Sequence, residues 1–325
     1  MKSFKRSSIA AMCGLSGSLS GSLNSPIVQV ANGFSISGTN GSTYSKNIDT
    51  LLFATETTGR SINTYSVPVV SASALSAASN GYILGGGTQS GIVATISKMP
   101  YVTQLITNLT SVLSQPTSWM ASARSLVAGF TFSGTINNGS NYTNLISTLL
   151  FSTEIRTNLS ATISRQEAEA SGLNSSDNAY VLGGALYSAP WVTAAGDAFA
   201  FATNTIRSIG TVLNTGNYNM FALSFTTAKA GYVFGGDYSS TSANKLAFAT
   251  ETHSTLTSLY QRRSSPATIG VNSLGKGYIL GGANGALSYS TTVTRFTQST
   301  ETLIDVSATL TNGINSNLGL TSDFS

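Results

Sequence analysis

The amino-acid sequence predicts an all-β fold of six repeated units, and three observations predict it. A Gly-aromatic motif recurs six times, at intervals of 48, 48, 50, 52 and 46 residues. A second motif, Phe-Ala-Thr-Glu in its fullest form, follows each copy by 17–22 residues. Charged residues make up 9% of the chain, whereas hydrophobic residues reach 41% and Gly supplies 32 of 325 positions. Ordinary globular proteins carry about 25% charge. So little Lys, Arg and Glu, with so much Gly, Ser, Thr and Asn, disfavours long helices. The apolar content excludes a polar disordered chain.

Each repeat holds four strand candidates. The first is a run of small residues, as in 222–227 and 267–273. The second is the aromatic run at 33–38, 81–86, 129–134, 179–184, 231–236 and 277–282, with Phe34, Tyr82, Phe130, Tyr180, Tyr232 and Tyr278 in second place. It is apolar on both faces, as a strand covered on both sides should be. The third is the apolar run ending in the second motif, at 53–56, 101–104, 151–154, 201–204, 248–251 and 298–301. The fourth is a Ser/Thr/Leu run such as 254–259. Four antiparallel strands per period of about 50 residues, repeated six times, describe a β-propeller. One blade cannot bury both its faces, and stacking around an axis does so. The ring needs closing. Residues 313–319 look like the first-strand copy 270–275 and are expected to supply the missing inner strand. Residues 26–30 are the alternative, and match the repeat register less well.

Residues 1–24 form a separate Gly/Ser-rich N-terminal arm, and 25–325 the propeller. The apolar stretch at 9–12 is short for a signal peptide and is followed at once by Cys13, Gly14, Ser16 and Gly17. The arm is expected to dock on a partner through Lys2, Phe4, Lys5, Arg6, Ile9, Met12 and Leu15. The alternatives are an arm folded on its own domain and a signal peptide. Lys2, Lys5 and Arg6 also supply three of the sixteen basic residues, leaving thirteen basic and twelve acidic groups elsewhere. The net charge of +4 therefore describes no basic face, and no nucleic-acid partner is expected. No run of 18 apolar residues exists, so no membrane insertion by a helix is expected.

The period with a Gly-Gly strand end is similar to kelch and galactose-oxidase-type propellers. The pairing of Gly-Tyr-x-x-Gly-Gly with a downstream Phe-Ala-Thr-Glu-Thr resembles a narrower group, the kelch-like β-propeller proteins of tailed bacteriophages. The resemblance spans about 25–325. Two departures are Ser37-Gly38 and Ser133-Gly134 in place of Gly-Gly, and the missing later kelch tryptophan, since only Trp119 and Trp191 are present. The resemblance implies a non-enzymatic virion structural protein of a tail, fibre or appendage. It would be present in multiple copies in an extracellular particle, contacting other virion proteins through 1–24 and a host-surface glycan or protein through the propeller. The alternative is a secreted or cell-surface glycan-binding propeller.

The chemistry read from the residues agrees with a non-enzyme. One cysteine, Cys13, and one histidine, His253, provide neither a disulfide framework nor a Cys/His metal centre. No catalytic, cofactor or metal residues are therefore expected. The repeated Glu56, Glu154, Glu251 and Glu301 suggest paired carboxylates, but Gln104 and Asn204 occupy the same register. An amide in that place fits an acceptor for backbone N–H groups or a neighbouring Tyr hydroxyl better than an acid or base. The six strand-two aromatics read as core, and the Phe/Tyr mixture reads as an optional hydroxyl. The variable loops between strands two and three carry Tyr44, Tyr142, Tyr187, Trp191, Tyr238 and Tyr289 among Asn, Ser and Gly. Such residues suit either ligand and receptor recognition or capping of blade edges.

Overall fold

The computed structural model describes residues 31–236, 241–256, 263–283 and 288–323. The docking-arm residues and Tyr238 lie outside the described residues. The chain divides after Val30, and the unit Ala31–Ser325 is a six-bladed β-propeller. From axis to rim, blade 1 is Leu318–Thr321, Asn32–Ile36, Ile48–Leu52 and Thr57–Arg60. Blade 2 is Ser73–Ser76, Asn80–Leu84, Thr95–Pro100 and Thr107–Val112. Blade 3 is Ala121–Arg124, Ala128–Phe132, Leu145–Leu150 and Arg156–Thr162. Blade 4 is Ser171–Asn174, Asn178–Leu182, Ala195–Ala200 and Thr205–Thr211. Blade 5 is Met220–Phe225, Ala230–Gly235, Ala243–Ala247 and Thr252–Thr255. Blade 6 is Ala267–Val271, Lys276–Leu280, Thr292–Thr297 and Thr302–Thr309. All pairings within the blades are antiparallel.

Packing follows the sequence pattern. The second strands are buried almost throughout, every residue of Ala128–Phe132 and Ala230–Gly235 included. Rim strands such as Thr252–Thr255 are exposed, which is why Ser and Thr fill them. The strand-two aromatics are at most 4% exposed, and each buried ring is worth about 2–3 kcal/mol of apolar burial. They sit between blades, so removing one strips two blades of contact.

The ring is closed by the C-terminal strand, in a different register from the expected one. The inner strand is Leu318–Thr321, and 313–317 forms the connection leading into it. Thr321, not Gly313, stands in the register of Gly270, and Gly319 stands in that of Gly172 in blade 4. A Cβ on Gly319 would lie 2.2 Å from the Thr268 carbonyl oxygen, as one on Gly172 would lie 2.1 Å from that of Ser122. Only glycine lets neighbouring inner strands approach this closely. A second difference concerns the Phe-Ala-Thr-Glu motif. The third strands end just before it, and the motif itself forms the turn to the rim strand. In blades 2–5 its last residue donates an N–H across five residues, as in Glu154 N to Leu150 O at 2.8 Å. In all six blades that residue has φ between 53° and 58°.

At the other end of the blades, where each inner strand begins, six residues stand in the left-handed region: Ser71, Trp119, Glu169, Asn219, Ser265 and Ser316, with φ of 49–60°. None is glycine, so each carries roughly 1–2 kcal/mol of strain. Each also donates its backbone N–H to the carbonyl of its counterpart in the preceding blade. Trp119 bonds Ser71 at 2.7 Å, Glu169 bonds Trp119 at 2.9 Å, Asn219 bonds Glu169 at 3.1 Å and Ser265 bonds Asn219 at 3.3 Å. Ser316 bonds Ser265 at 2.7 Å, and Ser71 bonds Ser316 at 3.3 Å. The six bonds close a circle around the axis. Beneath it an axial cavity of about 250 Å³ is lined by inner-strand residues.

Candidate functional site

The repeated carboxylates lie on the face of the a–b and c–d turns, counting strands from the axis. Each meets the strand-two tyrosine of the preceding blade. Tyr82 donates to Glu154, Tyr232 to Glu301 and Tyr278 to Glu56, all at 3.0 Å. Tyr180 differs: its hydroxyl lies 3.5 Å from the Phe248 carbonyl oxygen, and burial, then the nearby Glu251 charge, raises it. A cation completes each pair: Lys98 for Glu154, Arg207 for Glu251, Lys245 for Glu301, and both Lys276 and Arg295 for Glu56. Burial pushes the Glu56 carboxyl up, but Arg295, Lys276 and Tyr278 together hold it below the ordinary carboxylate range. Burial, then the facing Glu56, raises the Tyr278 hydroxyl. These glutamates are inter-blade latches, as the acceptor reading expected.

The hydroxyl is optional only in a restricted sense. The two blades with phenylalanine, Phe34 and Phe130, face the two blades whose turn residue is an amide, Gln104 and Asn204. The third-strand partner of each phenylalanine is Thr50 or Thr148, where Tyr82, Tyr232 and Tyr278 pair with Lys98, Lys245 and Arg295. In blade 4 that partner is Ala198, and the cation comes from the next strand, where Arg207 stands opposite Ala198. Hydroxyl, carboxylate and cation are present together or absent together.

The opposite face carries the loops between the second and third strands. Tyr44, Tyr142 and Tyr289 are half-buried. Tyr44 bridges to Thr39 within its loop, and a Cβ on Gly41 would lie 2.3 Å from the Tyr289 hydroxyl oxygen, so these two tyrosines belong to neighbouring packed loops. Tyr142 ends the short ribbon formed by Thr135–Ile136 and Asn141–Tyr142. Tyr187 and Trp191 differ, being 53% and 64% exposed. They share one tight turn, in which Leu186 N bonds Trp191 O at 2.8 Å and Trp191 N bonds Ser188 O at 3.1 Å. The Tyr142 and Tyr187 rings meet edge to face at 5.9 Å. Blades 3 and 4 thus gather three of the expected aromatics, and blades 6 and 1 pack the other two described ones.

A charged cluster that no repeated motif marks lies beside that turn. Glu167–Ala168 pairs with Ala185–Leu186, the stem of the Tyr187/Trp191 turn. Arg165 Nε bonds Glu167 Oε2 at 3.0 Å, and its Nη1 lies 3.6 Å from Asp197. Asp197 also accepts from the Ser164 N–H at 2.9 Å and from its hydroxyl. Glu167 and Asp197 are fully buried. Burial raises the Glu167 carboxyl to about 7, with Arg165 pulling it down and Asp197 pushing it up. Its Oε1 has no hydrogen-bond partner. The one available sequence signal was the concentration of charge at 165–167 in a chain so poor in charge. His253 is exposed on a rim strand, and the described residues hold no cluster of three metal-ligating side chains.

No family model matches the sequence, and no curated protein matches it. Among solved structures the chain is similar to YjhT, with a TM-score of 0.68 over 84% of this chain and 96% of that one. Identity is 13%, so the likeness extends to the propeller fold alone.

Proposed function

We propose that this propeller is a non-enzymatic recognition and assembly module, a structural component of a phage particle in its tail, fibre or similar appendage. The observation that carries the non-catalytic part is the latch. Glu56, Glu154 and Glu301 are each tied to a tyrosine hydroxyl and a cation, and Glu251 to Arg207, whereas glycoside hydrolysis needs two carboxylates facing one substrate. Glu167 and Asp197 are close to one another but fully buried, out of a substrate's reach. The virion assignment is supported by the paired Gly-Tyr-x-x-Gly-Gly and Phe-Ala-Thr-Glu motifs. In this reading residues 1–24, with Lys2, Phe4, Lys5, Arg6, Ile9, Met12 and Leu15, attach the chain to other virion proteins. Cross-linking mass spectrometry of intact particles tests it. Cross-links from Lys2 or Lys5 to another virion protein are expected, and absence of the chain from purified particles defeats the assignment. A second reading, a secreted or cell-surface glycan-binding propeller, is favoured by the exposure of Tyr187 and Trp191. Chain found free in culture medium rather than in particles would select it.

A further inference from the structure

We infer that the loop face of blades 3 and 4 binds a neutral, pyranose-containing glycan, with Trp191 and Tyr187 as its stacking platform. The inference rests on the recognition reading above and specifies the ligand. Three observations carry it. The first is the platform. Trp191 and Tyr187 are the two most exposed of the described loop aromatics, at 64% and 53%, and Tyr142 braces Tyr187 edge to face at 5.9 Å. A rigid aromatic surface held by a tight turn loses little entropy on binding and offers its π-face to the C–H face of a sugar ring.

The second is the neighbourhood. The blade 3 loop beside it reads Asn137-Asn138-Gly139-Ser140-Asn141. Asn138 Oδ1 accepts from Ile92 N at 3.3 Å and the Ser140 hydroxyl donates to Asn137 O at 2.7 Å, and the amides of Asn137 and Asn141 can both donate to and accept from sugar hydroxyls. Thr135–Ile136 and Asn141–Tyr142 hold this loop as a ribbon, so these groups are presented by a fixed backbone.

The third is charge, and it sets the ligand class. Residues 121–211 contain four basic side chains, Arg124, Arg156, Arg165 and Arg207, against five acidic ones. All four are engaged within the fold. Arg165 is tied to Glu167 and Asp197, Arg207 to Glu251, and Arg156 donates to Ser114 at 3.1 Å and to Ser147 at 2.6 Å. Arg124 lines the axial cavity and also has a partner. A sialylated, uronic or phosphorylated glycan needs a cation to receive its anion. The arginine beside the platform, Arg165, is already held by the buried Glu167 and Asp197 and has no charge to spare for such an anion.

The test is a glycan array probed with the full chain, followed by titration of the best oligosaccharide. Neutral hexose and N-acetylhexosamine chains should bind, with affinity changing less than about twofold between about 0.05 and 0.5 M salt, because no ion pair forms. Trp191→Ala should weaken binding by about tenfold or more. Trp119→Phe supplies an independent readout that needs no platform mutation. It leaves Trp191 as the only tryptophan, and its emission should shift on titration with the neutral oligosaccharide. Preference for anionic glycans with steep salt dependence would overturn the inference and leave the recognition reading standing. So would full affinity in Trp191→Ala, or an unchanged Trp191 emission at saturation. No binding to any glycan would overturn this inference and remove the support that exposed aromatics give to glycan recognition.

Discussion

The junction of blades 6 and 1 and the junction of blades 1 and 2 share one frame and carry opposite chemistry. In the first, Tyr278 stacks on Phe53 at 5.4 Å, and Glu56 receives the Tyr278 hydroxyl, Lys276 and Arg295. In the second, Phe34 stacks on Tyr101 at the same 5.4 Å, facing Gln104, with Thr50 in the cation's place. The stacking is common and the charge is not. A half-buried carboxylate without a cation, or a hydroxyl without an acceptor, pays a desolvation cost with nothing to offset it. At the strand-two, strand-three and turn positions a junction therefore takes the whole set or none of it, while the 1/2 junction keeps one buried hydroxyl without a hydrogen-bond partner, that of Tyr101. The junction where the two ends of the sheet ring meet has the richest set, with two cations on one carboxylate. Its carboxylate is also 220–239 positions from its three partners in the chain, a separation at which loop closure costs much entropy.

The largest expected effect tests that contrast directly. Glu56→Ala leaves two cations and a tyrosine hydroxyl facing one another, and should lower unfolding free energy by about 2–3 kcal/mol in urea melts. Gln104→Ala, at the neutral junction, should cost less than about 1 kcal/mol. Equal losses would remove the distinction between the junctions.

Next comes pH. Burial raises the Glu167 carboxyl from 4.5 to about 7, so its protonated form is favoured in the folded state. Its contribution is fully present below 4.5 and lost as pH rises through 7, at most about 3 kcal/mol. Glu167→Gln should flatten that decline in thermal melts between pH 4.5 and 7. Glu56 behaves oppositely. Its carboxyl is held below the usual range by Arg295, Lys276 and Tyr278 against the opposing effect of burial. Its contribution is present above the ordinary carboxylate pKa and lost on acidification, and Glu56→Gln should flatten the acid limb.

A smaller effect sharpens the rule that the set travels together. Phe34→Tyr with Gln104→Glu should destabilise the 1/2 junction by about 1–2 kcal/mol, and adding Thr50→Lys should recover most of it. Among the latch variants the smallest effect is that of Tyr82→Phe, about 1 kcal/mol, since Glu154 keeps Lys98.

Most of the architecture was legible because it repeats. Six Gly-aromatic pairs at near-constant spacing gave the blade count, and the alternation of covered and exposed strands gave their order from axis to rim. The latch is written in the same letters, and its acceptor half, a carboxylate for a neighbouring Tyr hydroxyl, is legible there, whereas the pairing and the cation are not. Tyr82 and Glu154 are 72 residues apart, Tyr232 and Glu301 69, and Tyr278 and Glu56 222, so the correlation appears only when one blade's aromatic is compared with the next blade's turn. The closing strand was placed in the wrong register because Gly-Ile-Asn-Ser at 313–316 mimics Gly-Val-Asn-Ser at 270–273. What distinguishes Gly319 is the approach of the Thr268 backbone, which no local motif encodes. Of the loop aromatics, sequence identified the residue type. Exposure separates Tyr187 and Trp191 from Tyr44, Tyr142 and Tyr289, and it depends on how neighbouring loops pack.

The circle of six backbone bonds from Ser71 through Ser316 has a property that no strand or helix shares. A helix ends in unsatisfied donors and acceptors, and its peptide dipoles add up to a charge at each tip. Links arranged nose to tail around a closed loop have no tip. Their in-plane dipoles cancel, and every bond polarises its neighbour with no weakest member at an end. The twelve peptide groups that converge on the mouth of the axis therefore add no net in-plane dipole, and the one ionisable side chain among the six residues is that of Glu169. Deleting any one blade, whichever it is, would expose the same two orphans, one N–H and one carbonyl.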